Sequence, residues 1–388
     1  MHFAVDATTW TNPRGYGRFT RSLLTALLEL DQPHHYTLFT DTPGALPPVP
    51  ARATVRAVAA SRPTSEAATA QGRRTLADTA RMSRAFSASG FDAILFPTVY
   101  SYVPVLSSTP RVVVFHDVIA ERFPAMTVPS RTARFLWNAK VHLARAQATT
   151  LVTVSEYSRC ELAREFHIAP STIEVVGEAP AAVFHHIAHP TTPPRLASLN
   201  LPDGPWVVYA GGFGPHKNVP MLVDAFAALA SRFPRATLIL VGENRNETFH
   251  SEIAAVEQRV QAHALNSRVF FTGFLPDSDL ALLLNLAHVL VLPSLMEGFG
   301  LPAVEAAACR CPVIATRESP LPELLEGGGI FINPHSQPAL EAALDAVLAS
   351  ESSRENFAQQ ALVAAGKLTW EQSAMRMLDI LEAAGRPR

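Results

Sequence analysis

Cysteine is nearly absent: Cys160, Cys309 and Cys311 are the only thiols in 388 residues. An odd count with no Cys-x-x-Cys spacing argues against a disulfide scaffold and a zinc site, and makes a reducing cytoplasm the expected setting. Lysine is also scarce, with Lys140, Lys217 and Lys367 standing beside 29 arginines. No apolar run reaches the ~18–20 residues of a membrane span. The opening Met1-His2-Phe3-Ala4-Val5-Asp6 lacks the basic region and apolar core of a signal peptide, so export is not expected. A strong charge of one sign is missing too. With a net charge of −2 and 48% apolar residues, the chain reads as globular, with no nucleic-acid partner.

What charge there is falls unevenly. Residues 1–185 hold 18 Lys and Arg against 14 Asp and Glu, while the remainder holds 14 against 20. The length fits two ordinary domains. Short apolar runs alternate with helical patterns: Phe3–Ala7, Tyr36–Thr40, Val55–Ala59, Ala93–Phe96, Val112–Phe115, Leu151–Val154 and Ile173–Val176. A proline-rich stretch, 186–205, reads as a linker. A second series follows: Val207–Ala210, Thr237–Val241, Val269–Thr272, Val289–Leu292, Val313–Ala315 and Ile330–Ile332. Such alternation predicts βαβ units and parallel sheets, whose ligands bind beyond the carboxyl ends of the strands.

One stretch organises the second half. After the run Val289–Leu292 comes Pro293-Ser294-Leu295-Met296-Glu297-Gly298-Phe299-Gly300-Leu301-Pro302, then the helix formers of Ala303 to Ala308. Strand, glycine turn and helix start present free N–H groups and a positive dipole end to an anion. Glu297 lies in the turn and Glu305 in the helix, seven residues between them. Spacing alone also admits a plain βα turn with two solvated glutamates. A second glycine loop, Gly211-Gly212-Phe213-Gly214-Pro215-His216-Lys217, follows Val207–Ala210. An ammonium at such a loop suits a diphosphate.

Glu297 and Glu305, with Gly-Phe-Gly-Leu-Pro between them, resemble the Glu-seven-residues-Glu signature of the retaining GT-B glycosyltransferases of family four (group 1, mannosyltransferase-like). The resemblance covers most of the chain, with its matches in order. It implies an α/β GT-B fold, two Rossmann-like doubly wound domains facing a cleft. Residues 1–185 would form the acceptor domain, with a C-terminal helix, 371–388, crossing back to it, and residues 186–370 the nucleotide-sugar donor domain. It also implies that Lys217 meets the donor diphosphate, Glu297 the sugar hydroxyls and Glu305 the ribose diol. His116, at the end of Val112–Phe115, would line the sugar pocket, with Asp117 orienting it or capping the loop. As a lone residue, His116 reads first as a structural histidine. Gly15 and Gly17 would form a glycine loop facing the donor, though a tight turn reads the same way.

Gly212, Gly273, Phe299, Gly300 and Leu301 complete the expected donor contacts. Three departures from the family pattern stand out. Gly211-Gly212 replaces a Gly-Arg, leaving one phosphate-binding cation to come from His216 or from an arginine of the first half. Gly177-Glu178 occupies a position where relatives carry Asn-Gly. Arg310 stands at a helix end where relatives have glycine, which predicts a different cap. Asp277-Ser278-Asp279 spells Asp-x-Asp but precedes a helical run, so a helix N-cap with first-turn acid is expected and no metal.

The arginine-rich stretch 61–90, with Arg73, Arg74, Arg81 and Arg84, reads as helix plus surface loop. Residues 131–145 can form a basic amphipathic helix. It reads as a solvated face or as a contact with anionic lipid on the inner face of the membrane. The expected activity is transfer of a hexose, mannose from GDP-mannose as the leading case, to a glycan, lipid-linked or small-molecule acceptor. No cofactor is expected beyond the nucleotide-diphosphate sugar as substrate. A nucleotide-sugar epimerase or hydrolase of the same fold, and a two-lobed sugar-binding protein, are the alternatives.

Overall fold

The computed structural model describes residues 1–64, 75–128, 130–199, 201–243 and 251–386; Arg73 and Arg74 lie outside them. The chain divides into two units, Met1–Glu178 with Trp370–Arg388, and Ala179–Thr369. The expected strands are all present, their ends shifted by at most two residues. The reason is local: runs such as Val112, Val113 and Val114, or Val289 to Leu292, are β-branched or apolar and essentially unexposed. They are continuous rather than alternating because a parallel sheet of this class buries both faces.

In the first unit, β1 (His2–Asp6), β2 (His35–Thr40), β3 (Ala53–Ala57), β4 (Ala93–Phe96), β5 (Arg111–Val114), β6 (Thr150–Thr153) and β7 (Ile173–Val175) form one sheet. Its order is β3-β2-β1-β4-β5-β6-β7, with every pair parallel. The chain winds outward from β1 to β3, then returns to β4, so the direction of winding reverses between β1 and β4. The final helix, Trp370–Gly385, belongs to this unit and packs on the helix Gly15–Glu29. Ala374, Met377, Ile380 and Leu381 form its buried face, while Glu382 bonds His34 at 2.8 Å and Arg376 pairs with Glu174.

The second unit repeats the plan with β8 (Trp206–Ala210), β9 (Thr237–Val241), β10 (Val269–Gly273), β11 (Val289–Leu292), β12 (Val313–Thr316) and β13 (Gly329–Ile332). The order β10-β9-β8-β11-β12-β13, again all parallel, places the reversal between β8 and β11. In open α/β sheets the crevice at such a reversal is where ligands sit. The chain enters this unit after Glu178 rather than after residue 185. Asn285 explains the difference: it donates to His185 O at 3.0 Å and accepts from Ile187 N at 2.7 Å, while Phe184 is buried.

Two further local expectations are overturned. Arg310 does adopt the left-handed conformation, φ +61°, and its guanidinium pairs with Glu355. The strain of roughly 1 kcal/mol that a side chain brings there is therefore accepted rather than avoided. At the helix Asp277–Leu286 only the cap differs: Pro276, not an aspartate, is the N-cap, while Asp277 and Asp279 supply the expected first-turn acid. Among the described residues no cluster of three metal-ligating side chains occurs, and no helix is long and apolar enough to cross a membrane.

Candidate functional site

The loops after β8 and β11 meet at the reversal of the second sheet. The Tyr209 hydroxyl, at the end of β8, donates to Gly212 O and supports the glycine loop from beneath. The loop closes in a 3₁₀ turn, Pro215–Lys217, ended by Asn218 in the left-handed conformation. Asn218 Nδ2 donates to Pro293 O at 3.2 Å and to Pro334 O at 2.9 Å. Leu295 N donates to His216 O at 2.8 Å, joining the two loops through the backbone.

That join brings Lys217 and Glu297 together. Lys217 Nζ lies 2.7 Å from Glu297 Oε1, and Ser294 Oγ donates to the same oxygen at 2.6 Å. Glu297 is 8% exposed. Burial pushes its carboxyl up, but the Lys217 charge and the hydrogen bonds from Lys217 and Ser294 outweigh it, so the group sits below its ordinary value. Glu297 is therefore a carboxylate, able only to accept hydrogen bonds. His216 is lowered too, to about 3, by burial and the Lys217 charge. Among the described residues its Nδ1 is buried without a hydrogen-bond partner. A neutral imidazole cannot supply the cation that the Gly211-Gly212 loop lacks.

Beyond Glu297 the chain turns into the helix Leu301–Ala308. Gly300 is the N-cap at φ +87°, and a Cβ there would stand 2.8 Å from Leu321 Cδ1, so both conformation and space require glycine. Phe299 and Leu301 are buried, which leaves the backbone at this helix end as the polar surface it can offer. Glu305, within the helix, is 1% exposed. Gly273 closes β10 at φ +69°, and a Cβ there would meet open space.

Gly15, Gly17 and His116 belong to the first unit; Lys217, Glu297, Glu305, Gly212, Gly273, Phe299, Gly300 and Leu301 belong to the second. The two glycines of the first loop differ. A Cβ on Gly17 would stand 2.1 Å from Asn12 O, so Gly17 is a packing requirement of the helix start. A Cβ on Gly15 would touch nothing within 4 Å. Between them Tyr16 stacks on Tyr100, centroids 4.7 Å apart, and takes a bond from Asn12 Nδ2 at 2.9 Å.

His116 follows β5. Its Nε2 donates to Pro97 O at 3.0 Å, and Ser158 Oγ donates to its carbonyl at 3.1 Å. Asp117 accepts from Ile119 N at 2.9 Å and caps the loop. The carboxyl facing the imidazole is that of Glu178 instead, with Oε1 3.4 Å from Nδ1. Sequence reasoning assigned roles to neither Glu178 nor Ser294. The signals were the acid in place of Asn-Gly and a hydroxyl three residues before Glu297.

The basic helix Arg131–Gln147 spends much of its charge internally. Arg134 donates to Val128 O at 3.3–3.4 Å, Lys140 to Tyr100 O at 3.1 Å, and Arg145 lies 5.1 Å from the Phe166 ring centre. Arg131 remains exposed, as do Phe135, Leu136 and Leu143.

Residues 13–178 match the family described as Glycosyltransferase Family 4, and residues 196–363 match Glycosyl transferases group 1. The chain is 28% identical to O-antigen chain mannosyltransferase B of Escherichia coli over 272 residues, 69% of each chain. It is 27% identical over 246 residues, 62% of its length, to the serotype-specific mannosyltransferase WbdA of Escherichia coli, but that match spans only 29% of the relative. Sucrose-phosphate synthase from Thermosynechococcus elongatus superposes with a TM-score of 0.77 at 22% identity, covering 99% of this chain and 98% of that one, and shares its fold. With two parallel-sheet Rossmann-like units of GT-B type, and family matches spanning both, the chain belongs to the group 1 glycosyltransferases of family four.

Proposed function

We propose that this glycosyltransferase moves a hexose, mannose from GDP-mannose as the leading case, from a nucleotide-diphosphate sugar to a glycan or lipid-linked acceptor with retention at the anomeric carbon. The observation that carries the reading is the Lys217–Glu297–Ser294 cluster at the reversal of the second sheet. The two mannosyltransferase relatives favour mannose. In the proposed front-face route the bond from the anomeric carbon to the diphosphate oxygen breaks while a bond to the acceptor oxygen forms on the same face. The acceptor proton passes to the departing phosphate oxygen.

Each residue then has a task. Lys217 and the helix end at Phe299–Leu301 stabilise charge growing on the diphosphate. Glu297 holds sugar hydroxyls, Glu305 the ribose diol, and His116 lines the sugar pocket. Gly15, Gly212 and Gly273 let backbone approach the donor, while Gly17 and Gly300 shape the two helix starts. Because Lys217 draws charge from Glu297, this carboxylate suits hydroxyl binding better than nucleophilic attack. The route is written without metal or organic cofactor, so chelator-treated enzyme should keep its full rate.

A thermal-shift panel of GDP-mannose, UDP-glucose and their free nucleotides tests the donor. Glu305→Ala should chiefly weaken donor binding and Lys217→Ala chiefly slow transfer; unchanged kinetics in both would remove the assignment. Turnover of donor without acceptor would favour a hydrolase or epimerase. Exposed Phe135, at 73%, with Leu136, Leu143 and Arg131 supports peripheral docking on anionic lipid at the inner membrane face. Failure to co-sediment with anionic vesicles at low salt would sink that part. Free thiols at Cys160, Cys309 and Cys311 suit a cytoplasmic setting.

A further inference from the structure

We propose that Glu178 is a positioning residue for His116: protonated, it donates from Oε1 to Nδ1 and fixes the ring in one orientation and one tautomer. The proposal rests on His116 being part of the sugar pocket, and it gives a role to the acid that stands where relatives have Asn-Gly.

Three observations carry it. First, Nε2 of His116 faces Pro97 O at 3.0 Å, and a carbonyl only accepts, so Nε2 carries the hydrogen. In the neutral ring Nδ1 is then an acceptor, and it faces Glu178 Oε1 at 3.4 Å. Second, Glu178 is 5% exposed, and an ionised carboxylate turned toward an imidazole lone pair in a buried place is unfavourable. Third, the chain is built to bring the acid there. Gly177 holds φ +84° immediately before it, while Val176 N is tied to Thr153 O at 3.0 Å.

The surrounding charges agree. Burial raises Glu178 above the ordinary carboxylate range, and Asp117 beside His116 adds to the rise. The bond and charge of His116 oppose it, as does Arg18 from the helix Gly15–Glu29. Phe19, from the same helix, sets its ring edge-on to the imidazole with centroids 4.8 Å apart, and Trp370 of the final helix backs Phe19 at 5.9 Å. The apolar wall resists ring flipping, and Glu178 selects which nitrogen donates. A flipped or other-tautomer imidazole would turn a lone pair toward Pro97 O, which can only accept.

The test uses the full-length enzyme with GDP-mannose and with UDP-glucose as donors. Glu178→Ala should lower kcat about 10–100-fold with the donor KM little changed, the range expected for a misplaced pocket group. Glu178→Gln, whose amide N–H can donate to Nδ1, should restore most of that loss. The wild type should lose rate as rising pH ionises Glu178, and Glu178→Gln should lack that loss. Full activity in Glu178→Ala overturns the proposal, as does Glu178→Gln failing alongside it or keeping the wild-type fall in rate with rising pH.

Should neither variant fold, the ring-nitrogen NMR signals of His116 in the wild type decide the matter. A hydrogen on Nδ1, with or without one on Nε2, overturns the assignment. If His116→Ala is fully active while those signals show the proposed tautomer, His116 has been misplaced in the sugar pocket and Glu178 still positions it.

Discussion

Lys217 Nζ and Glu297 Oε1 form a partly buried ion pair 2.7 Å long, eighty positions apart in sequence and joined at the one place where the second sheet reverses its winding. Before a donor binds, the cation proposed for the diphosphate is thus already paired with the carboxylate proposed for the sugar. Removing Lys217 leaves Glu297 with Ser294 as its only side-chain donor among the described residues. Lys217→Ala should therefore slow transfer by about 10²–10³-fold, as loss of one preorganised charge contact does. It should also cost about 1–3 kcal/mol of stability in denaturant unfolding, less than a fully buried pair because Lys217 is partly exposed. The Lys217→Ala/Glu297→Gln double variant should recover part of that stability while staying inactive. A double variant no more stable than Lys217→Ala would show that the pair is not coupled.

Ser294 offers a quieter test of the same carboxylate. It is wholly buried, and its hydroxyl shares Oε1 with Lys217. Ser294→Ala removes that bond without adding volume, at a cost of about 1 kcal/mol. With one of two anchors gone, the carboxylate can turn about its terminal torsion. We expect kcat to fall about tenfold, and discrimination between donor sugars that differ in one hydroxyl to narrow, since that is what a held carboxylate reads. Unaltered discrimination would mean that Glu297 does not touch those hydroxyls.

The sheets were legible because their runs are local: Val112 to Val114 and Val289 to Leu292 declare buried strands without help from the rest of the chain. Glu297 and Lys217 were legible through the glycine loops around them. Glu178 was not, because its partner lies 62 positions earlier and only the winding of the first sheet brings the end of β5 near the end of β7. The environment of His216 was hidden for the same reason: its chemistry depends on burial, which an eight-residue loop does not reveal. Arg310 failed in another way. Glycine is the easier residue at a left-handed helix end, yet the chain accepts the strain with Arg310 paired to Glu355.

Gly15 and Gly17 separate ligand contact from packing. Gly15→Ala meets open space at a helix start, so stability should hold or rise by up to about 0.5–1 kcal/mol. Any increase in donor KM in that variant would then report contact with the donor itself. Gly17→Ala drives a methyl to 2.1 Å from Asn12 O and should cost about 1–3 kcal/mol whatever the ligand does. Paired melting curves and donor titrations check both. Equal losses of stability would show that the loop rearranges and that Gly15 carries no separate role.

Glu121 gives the first unit a pH dependence of known sign. Its carboxyl accepts from Trp137 Nε1 at 2.7 Å, and burial lifts it from 4.5 to about 7 against that bond, with Asp117 adding to the rise. Between those values the folded chain holds a proton that the unfolded chain has released. The contribution to stability is therefore complete below about pH 4.5 and lost as pH climbs through 7. Glu121→Gln keeps an acceptor for Trp137 and cannot ionise. The variant should match the wild type near pH 5 and exceed it at pH 8 by on the order of 1–2 kcal/mol, a few degrees of melting temperature. Tryptophan fluorescence during thermal unfolding at both pH values would show the two curves parting as pH rises. Parallel curves would mean that Glu121 is already ionised and solvated in the folded protein.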